Sequence, residues 1–242
     1  MAQPRVVLHD IQGVGMTDAV PSSDDDLSAQ IEADRELGRS AAVRAFFGPA
    51  YDVVAEFTSA LEREGELRGL IGPREVPRLW ERHILNSAAL AQHMDGARSI
   101  ADVGSGAGLP GIVLAAMLPD CAVRLVEPME RRCDWLTESA DQLGLSNVEV
   151  MRGRAEEYHD AWTVDVVTAR AVASLDKLAR WCLPLVAPGG AMVVLKGRNV
   201  EREIPGALKV TRRFGAGAPS VVEGATVDGV ESTTVVRILV PA

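Results

Sequence analysis

A short apolar run, Ser99–Val103, leads straight into glycines at 104, 106 and 108, and an apolar segment from Gly111 to Leu118 with helical character leaves the turn. Glycine has no Cβ, so it accepts positive φ and lets a ligand approach the backbone. A strand, a glycine turn and a helix start form the ligand-holding corner of α/β proteins. The register narrows this further. A dinucleotide fingerprint, G-x-G-x-x-G, requires glycine at position 109, where the chain has Leu109; the pattern is instead Asp-x-Gly-x-Gly-x-Gly, beginning at Asp102. An NAD-dependent oxidoreductase is therefore disfavoured.

From Arg98 onward, strand-like and helix-like runs alternate. Strand candidates are Ser99–Val103, Ala122–Val126, Val148–Met151, Val164–Thr168 and Ala191–Leu195, with helical runs such as Met129–Leu143 and Leu175–Val186 between them. Gly144 suits a left-handed C-cap, and Pro188-Gly189-Gly190 a turn. Continuous apolar strands separated by helices predict a parallel sheet covered on both faces. Ser220–Val227 and Thr233–Val240 flank Asp228-Gly229, a hairpin signal that predicts a terminal antiparallel pair. The fold class is thus α/β, Rossmann-like, with the sheet domain over residues 96–242.

Upstream, residues 28–95 read as a small helical cap. Tyr51, Val54, Phe57 and Leu61 recur at helical spacing, and a second helix from near Pro77 buries Trp80, Ile84, Leu85 and Ala88. Residues 1–27, with Ser-Ser-Asp-Asp-Asp, read as an acidic disordered tail.

The chain has 242 residues and a formal net charge of −9. That charge by itself opposes a nucleic-acid partner. It is uneven, however: residues 1–40 carry eight acids against three arginines, which leaves room for a basic patch elsewhere. Cys121, Cys133 and Cys182 have neither zinc nor disulfide spacing. No basic-then-apolar leader is visible, and no apolar run reaches membrane-spanning length. The expectation is a cytoplasmic monomer without metal or membrane association.

The Asp102–Gly108 register resembles the first motif of class I S-adenosylmethionine (SAM) methyltransferases. Four segments then fall at the carboxyl ends of the strands, where a doubly wound sheet binds its ligand. In the first, Gly104 and Gly106 serve a ligand by backbone contact, while Asp102 either meets an ammonium group or caps the following turn. In the second, Glu127 stands 25 residues after Asp102, where an acid binds ribose hydroxyls in nucleotide sites. The third, Gly153–Glu157, offers a backbone N–H and carboxylates for an adenine edge, or simply an acidic helix start. The fourth, Thr168–Ala171, brings Arg170 to a phosphate or to the SAM carboxylate.

Asp102–Gly111 with its Gly-Leu-Pro-Gly ending, Gly153–Glu157, Ala169-Arg170-Ala171-Val172-Ala173-Ser174-Leu175, Leu195-Lys196-Gly197 and the upstream Arg82-His83-Ile84-Leu85-Asn86-Ser87 occur together and in order. In these the chain resembles the RsmG family of bacterial 16S rRNA guanine-N7 methyltransferases, over about residues 50–240. The resemblance implies SAM contacts at Gly104, Leu109, Ala155, Glu156 and Arg170. It also implies 16S rRNA of the small ribosomal subunit as substrate, modified in the decoding-region loop. Asn86 stands where the family usually has Asp, and Gly69-Leu70-Ile71 where it has Asn-Leu-Thr.

Guanine N7 carries a free lone pair, so no general base is expected, and Arg170 is assigned to positioning. Arg82, His83, Lys196 and Arg198 are the candidate RNA contacts; cations there would grip phosphates and make binding salt-dependent. A small-molecule SAM methyltransferase and a non-catalytic SAM-binding regulator are the competing readings. The acidic charge favours the former, and the cap arginines oppose it.

Overall fold

The computed structural model describes residues 24–94, 96–170 and 173–242. Most of the segment read as an acidic tail lies outside the described residues. Its last four residues do not belong to a tail, because helix α1 (Asp24–Arg39) begins at Asp24. Acidic residues favour a helix N-terminus, so a run that looks solvating also suits a first turn.

The cap continues with α2 (Ala41–Phe47), whose Ser40 side chain accepts the Val43 N–H, and α3 (Tyr51–Glu64). The α3 positions picked out by spacing are all buried, and Thr58 is buried with them. The next helix departs from the expected regular one. It starts as a 3₁₀ turn at Val76–Arg78, widens into a π turn over Leu79–Ile84 and ends as α4 (Leu85–Ala88). In the π turn the Leu85 N–H reaches Trp80 O, five residues back. Asp34, on α1, caps it from outside, accepting the Trp80 N–H at 2.9 Å and the Glu81 N–H at 3.0 Å. Trp80 stacks on Tyr51 of α3. A π turn shifts the phase of the side chains after it, a device often found at functional sites.

The sheet has seven strands: β1 (Ser99–Val103), β2 (Ala122–Glu127), β3 (Val148–Arg152), β4 (Val164–Arg170), β5 (Val186–Lys196), β6 (Ser220–Gly224) and β7 (Thr233–Leu239). Their order is β3-β2-β1-β4-β5-β7-β6. The first five are parallel; β7 runs antiparallel between β5 and β6. The terminal pair is not a tight two-residue hairpin. Its strands are joined by residues 225–232, and Gly229 sits within that loop at φ +85°. Strands β2 to β5 extend past the sequence reading because ladder hydrogen bonds outlast the apolar run, whereas β6 and β7 stop short of it at Gly224 and Leu239.

Helices α5 (Gly111–Met117) and α6 (Glu130–Gln142) cover one face with the cap; α7 (Leu175–Cys182) and α8 (Ile204–Arg213) cover the other. Helix α8 has no counterpart in the sequence reading, because Pro205-Gly206 in its first turn disguises it. It nevertheless buries Ala207, Val210 and Thr211. The period of two along β5 divides the core cleanly: Ala191, Val193 and Leu195 face the cap side, Met192 and Val194 the α7/α8 side.

The cap shares its core with the sheet. Phe57 and Leu61 of α3 join Ile112, Leu114 and Leu136 in one buried cluster. Each such side chain contributes roughly 1.5–3 kcal/mol by leaving water. No helix among the described residues is long and apolar enough to cross a membrane.

Candidate active site

Strand order reverses between β1 and β4, so their carboxyl ends open a crevice. The glycine loop fills one side of it. Gly104, Gly106 and Gly108 have φ of +72°, +56° and +98°. The Gly104 and Ser105 N–H groups donate to Val126 O at 2.8 and 3.2 Å, tying the loop to β2. The Trp135 indole on α6 donates to Ala107 O at 3.0 Å. At Gly108 a Cβ would lie 3.1 Å from the Phe57 ring and 3.3 Å from Leu136, so cap and α6 pinch the loop together.

The resulting cleft is about 450 Å³, within the usual range for small-molecule sites. Gly104, Ser105, Gly106 and Leu109 line it from the loop, Glu127, Met129 and Arg132 from the end of β2 and the start of α6, Leu70 and Ile71 from the cap, and Arg170 from β4.

Glu127 holds this wall together. Its Oε2 accepts the Gly106 N–H and its Oε1 the Met129 N–H, both at 3.0 Å. A carboxylate offers about four acceptor sites, so each oxygen retains capacity for a hydroxyl donor. The Arg132 guanidinium overlies it, with NH1 3.9 Å from Oε2, while its buried Nε has no partner among the described residues. An acceptor pair beside an unpartnered donor, bordered by open backbone, fits a ligand carrying vicinal hydroxyls and a polar ring.

Asp102 lies behind the loop, fully buried, with Oδ2 accepting the Gly111 N–H at 3.0 Å. Of its two sequence readings, the geometry selects the capping one, since no face of it reaches the cleft. Burial pushes its carboxyl up to about 7, against the pull of the Gly111 N–H and of the Arg170 charge. Among the described residues its Oδ1 has no partner, nor has Thr168 Oγ1 on the residue paired with it across β1 and β4.

Arg170 shares the parity of Val166 and so emerges on the cap side of β4. There NH1 meets His83 Nδ1 at 2.6 Å, and His83 Nε2 lies 2.6 Å from Glu75 Oε2. A guanidinium only donates, so Nδ1 must accept and Nε2 must carry the ring proton, which it donates to Glu75. Burial, reinforced by the Arg170 charge, lowers the His83 pKa to about 4, so the ring is neutral near pH 7. Burial also lowers Arg170 to about 10, which leaves it charged.

Two expected RNA contacts are corrected here. His83 has 12% of its side chain exposed and both ring nitrogens engaged, so it has no free polar atom to offer RNA. Lys196 is equally occupied: Nζ donates to Ala173 O at 2.9 Å and pairs with Glu203 at 2.9 Å, with 10% exposure. Arg82 is exposed beside His83, and Arg198 is exposed and paired with Glu231. Ala155, buried, and Glu156, exposed, sit on the 3₁₀ turn Ala155–Tyr158 after β3, and neither lines the cleft. Sequence reading missed Glu75, Leu70, Ile71 and Met129. Leu70 and Ile71 stand where the family has Leu-Thr, Glu75 and Met129 carry no motif, and the chain path brings Leu70, Ile71 and Met129 to the cleft and Glu75 to His83.

Residues 51–223 match the GidB family, described as rRNA small subunit methyltransferase G. The ribosomal RNA small subunit methyltransferase G of Salinispora arenicola is 52% identical over 187 residues, covering 74% of this chain and 77% of the relative. That of Kineococcus radiotolerans is 47% identical, covering 91% and 87%. Among solved structures, the O-methyltransferase TomG from Streptomyces achromogenes, in complex with SAM, superposes with a TM-score of 0.53 at 17% identity, covering 89% of this chain and 99% of TomG. At that identity the likeness speaks for the fold alone.

Proposed function

The chain belongs to the GidB family of small-subunit rRNA methyltransferase G proteins, and from that premise we propose that its cleft binds SAM and directs methylation of a guanine N7 in 16S rRNA. The observation that carries this reading is Glu127: a carboxylate fastened to the glycine loop by Gly106 and Met129, with acceptor capacity left at the cleft. It would take the ribose hydroxyls. The loop backbone at Gly104 and Gly106 would take the methionine end, Leu109 would pack beside it, and Arg170 would face the carboxylate. The family resemblance would give Ala155 and Glu156 the adenine edge, beyond the lined part of the cleft, and Asp102 would act through the helix start whose Gly111 N–H it accepts.

Bound SAM would supply an electrophilic sulfonium methyl, which the glycine loop, Glu127 and Arg170 would hold in line with the guanine N7 lone pair. No proton has to be removed from N7 first. The residues therefore work by alignment, which can contribute up to ~7–11 kcal/mol to a reaction of this kind. Arg82 and Arg198, exposed, are the proposed phosphate contacts.

The test is methyl transfer from labelled SAM to 16S rRNA and to small subunits from a strain lacking this protein, with the labelled nucleotide identified after digestion. The expected product is 7-methylguanine in 16S rRNA. Tight SAM binding with no label in either substrate would overturn the reading.

A further inference from the structure

Beside the cleft, Arg170, His83 and Glu75 join sheet and cap through a chain of two hydrogen bonds, each 2.6 Å. We propose that His83, held by Glu75, is a positioning residue that fixes the Arg170 guanidinium on the wall of the SAM cleft, so that cap and sheet build the cofactor site jointly. The proposal rests on the reading of Arg170 as a cofactor residue.

Three features of the geometry support it. First, Arg170 projects from the last position of β4 into a crowded, mostly buried space, and His83 Nδ1 is its hydrogen-bond acceptor among the described residues. Asp102 attracts it from behind the loop but makes no hydrogen bond to it. An arginine so placed has several rotamers open to it; one fixed acceptor selects among them.

Second, an imidazole accepts at Nδ1 only when its proton sits on Nε2, and Glu75 is placed to hold it there. The arrangement is the one by which a carboxylate orients a metal-binding or catalytic histidine, used here on an arginine. The charged groups facing the ring are Glu75, Arg170 and Arg82, and the two cations oppose its protonation.

Third, His83 sits on the π turn Leu79–Ile84, anchored at its start by Asp34. A regular helix through the same residues would give the ring a different phase.

The experiment uses the full chain and reads the dissociation constant of S-adenosylhomocysteine by calorimetry, the KM for rRNA, and thermal unfolding. Removing His83 Nδ1 deprives a buried charged donor of its acceptor, so His83→Ala should weaken ligand binding about tenfold or more. His83→Asn, whose amide oxygen falls near the place of Nδ1, should recover most of that loss; His83→Gln, which mimics the other nitrogen, should not. In an Arg170→Ala background, His83→Ala should add less than about twofold, because both changes remove one interaction.

Full additivity of the two changes, or unchanged ligand affinity in His83→Ala with a raised rRNA KM, overturns the proposal while Arg170 keeps its role. Unchanged affinity in Arg170→Ala alone overturns the underlying assignment of Arg170 and the proposal with it. Should His83→Ala fail to fold, the Asn and Gln variants decide: equal affinities in the two refute positioning through Nδ1.

Discussion

Glu127→Gln separates two roles that the carboxylate combines. Glutamine keeps the length and one oxygen, but its amide NH₂ must face either the Gly106 N–H or the Met129 N–H, now both bonded at 3.0 Å. In the ligand-free protein the cleft admits water, which can satisfy the orphaned N–H. A bound ligand excludes that water, and the penalty then falls on the complex. An unsatisfied buried N–H costs roughly 1–3 kcal/mol, or about five- to 150-fold in affinity. The ribose hydroxyls can rotate to accept from the NH₂, so they add little to this figure. Calorimetry with S-adenosylhomocysteine should show a weakening within that range, and the ligand-free melting temperature should fall only slightly. A dissociation constant within twofold of wild type, with a clearly lowered melting temperature, would make Glu127 a staple of the loop and nothing more, and the ribose assignment would fall.

The remaining predictions concern the scaffold and the RNA side. Gly111→Ala places a Cβ 2.2 Å from Leu125 Cδ2 and 2.7 Å from Asp102 Oδ2, so it should destabilise by about 1–3 kcal/mol and lower the melting temperature by roughly 2–12 °C in a thermal melt. Asp102, raised from 3.8 to about 7, keeps its proton in the folded state while the unfolded chain has lost it; its contribution is full below about pH 3.8 and is lost as pH rises through 7. Asp102→Asn does not titrate, so urea unfolding should show its stability gaining on wild type from about pH 4 to 7; parallel curves would refute this. Arg82→Ala should leave S-adenosylhomocysteine affinity intact and reduce the salt slope of rRNA binding by about one. Lys196→Ala, by contrast, should lower stability through the loss of Glu203 and Ala173 contacts and leave that slope unchanged, as chemical denaturation and filter binding would report.

What the sequence determined by itself is local. Three glycines at alternate positions demand a turn with positive φ, the short Ser-Ile-Ala-Asp-Val run before them makes β1, and Glu127 follows from the length of one strand–helix–strand unit. The family motifs lie in these same segments, because backbone conformation and strand-end placement depend on residues within a few positions of each other. Tertiary structure decided what lies between distant segments. It brought His83 to Arg170 across 87 positions, so that a ring expected to contact RNA has its Nδ1 on the guanidinium instead. It drew Lys196 inward onto Glu203 and merged the cap with the core of the sheet. Of the two readings of Asp102, ligand contact or cap of the following turn, it favours the cap, with Oδ2 on the Gly111 N–H at the start of α5. Side chains such as Glu75 and His83 carry no signature of their partners: an eight-residue separation would fit one face of a regular helix or strand alike, whereas here Glu75 precedes a 3₁₀ turn and His83 lies in the π turn, where the ring meets Glu75 and Arg170.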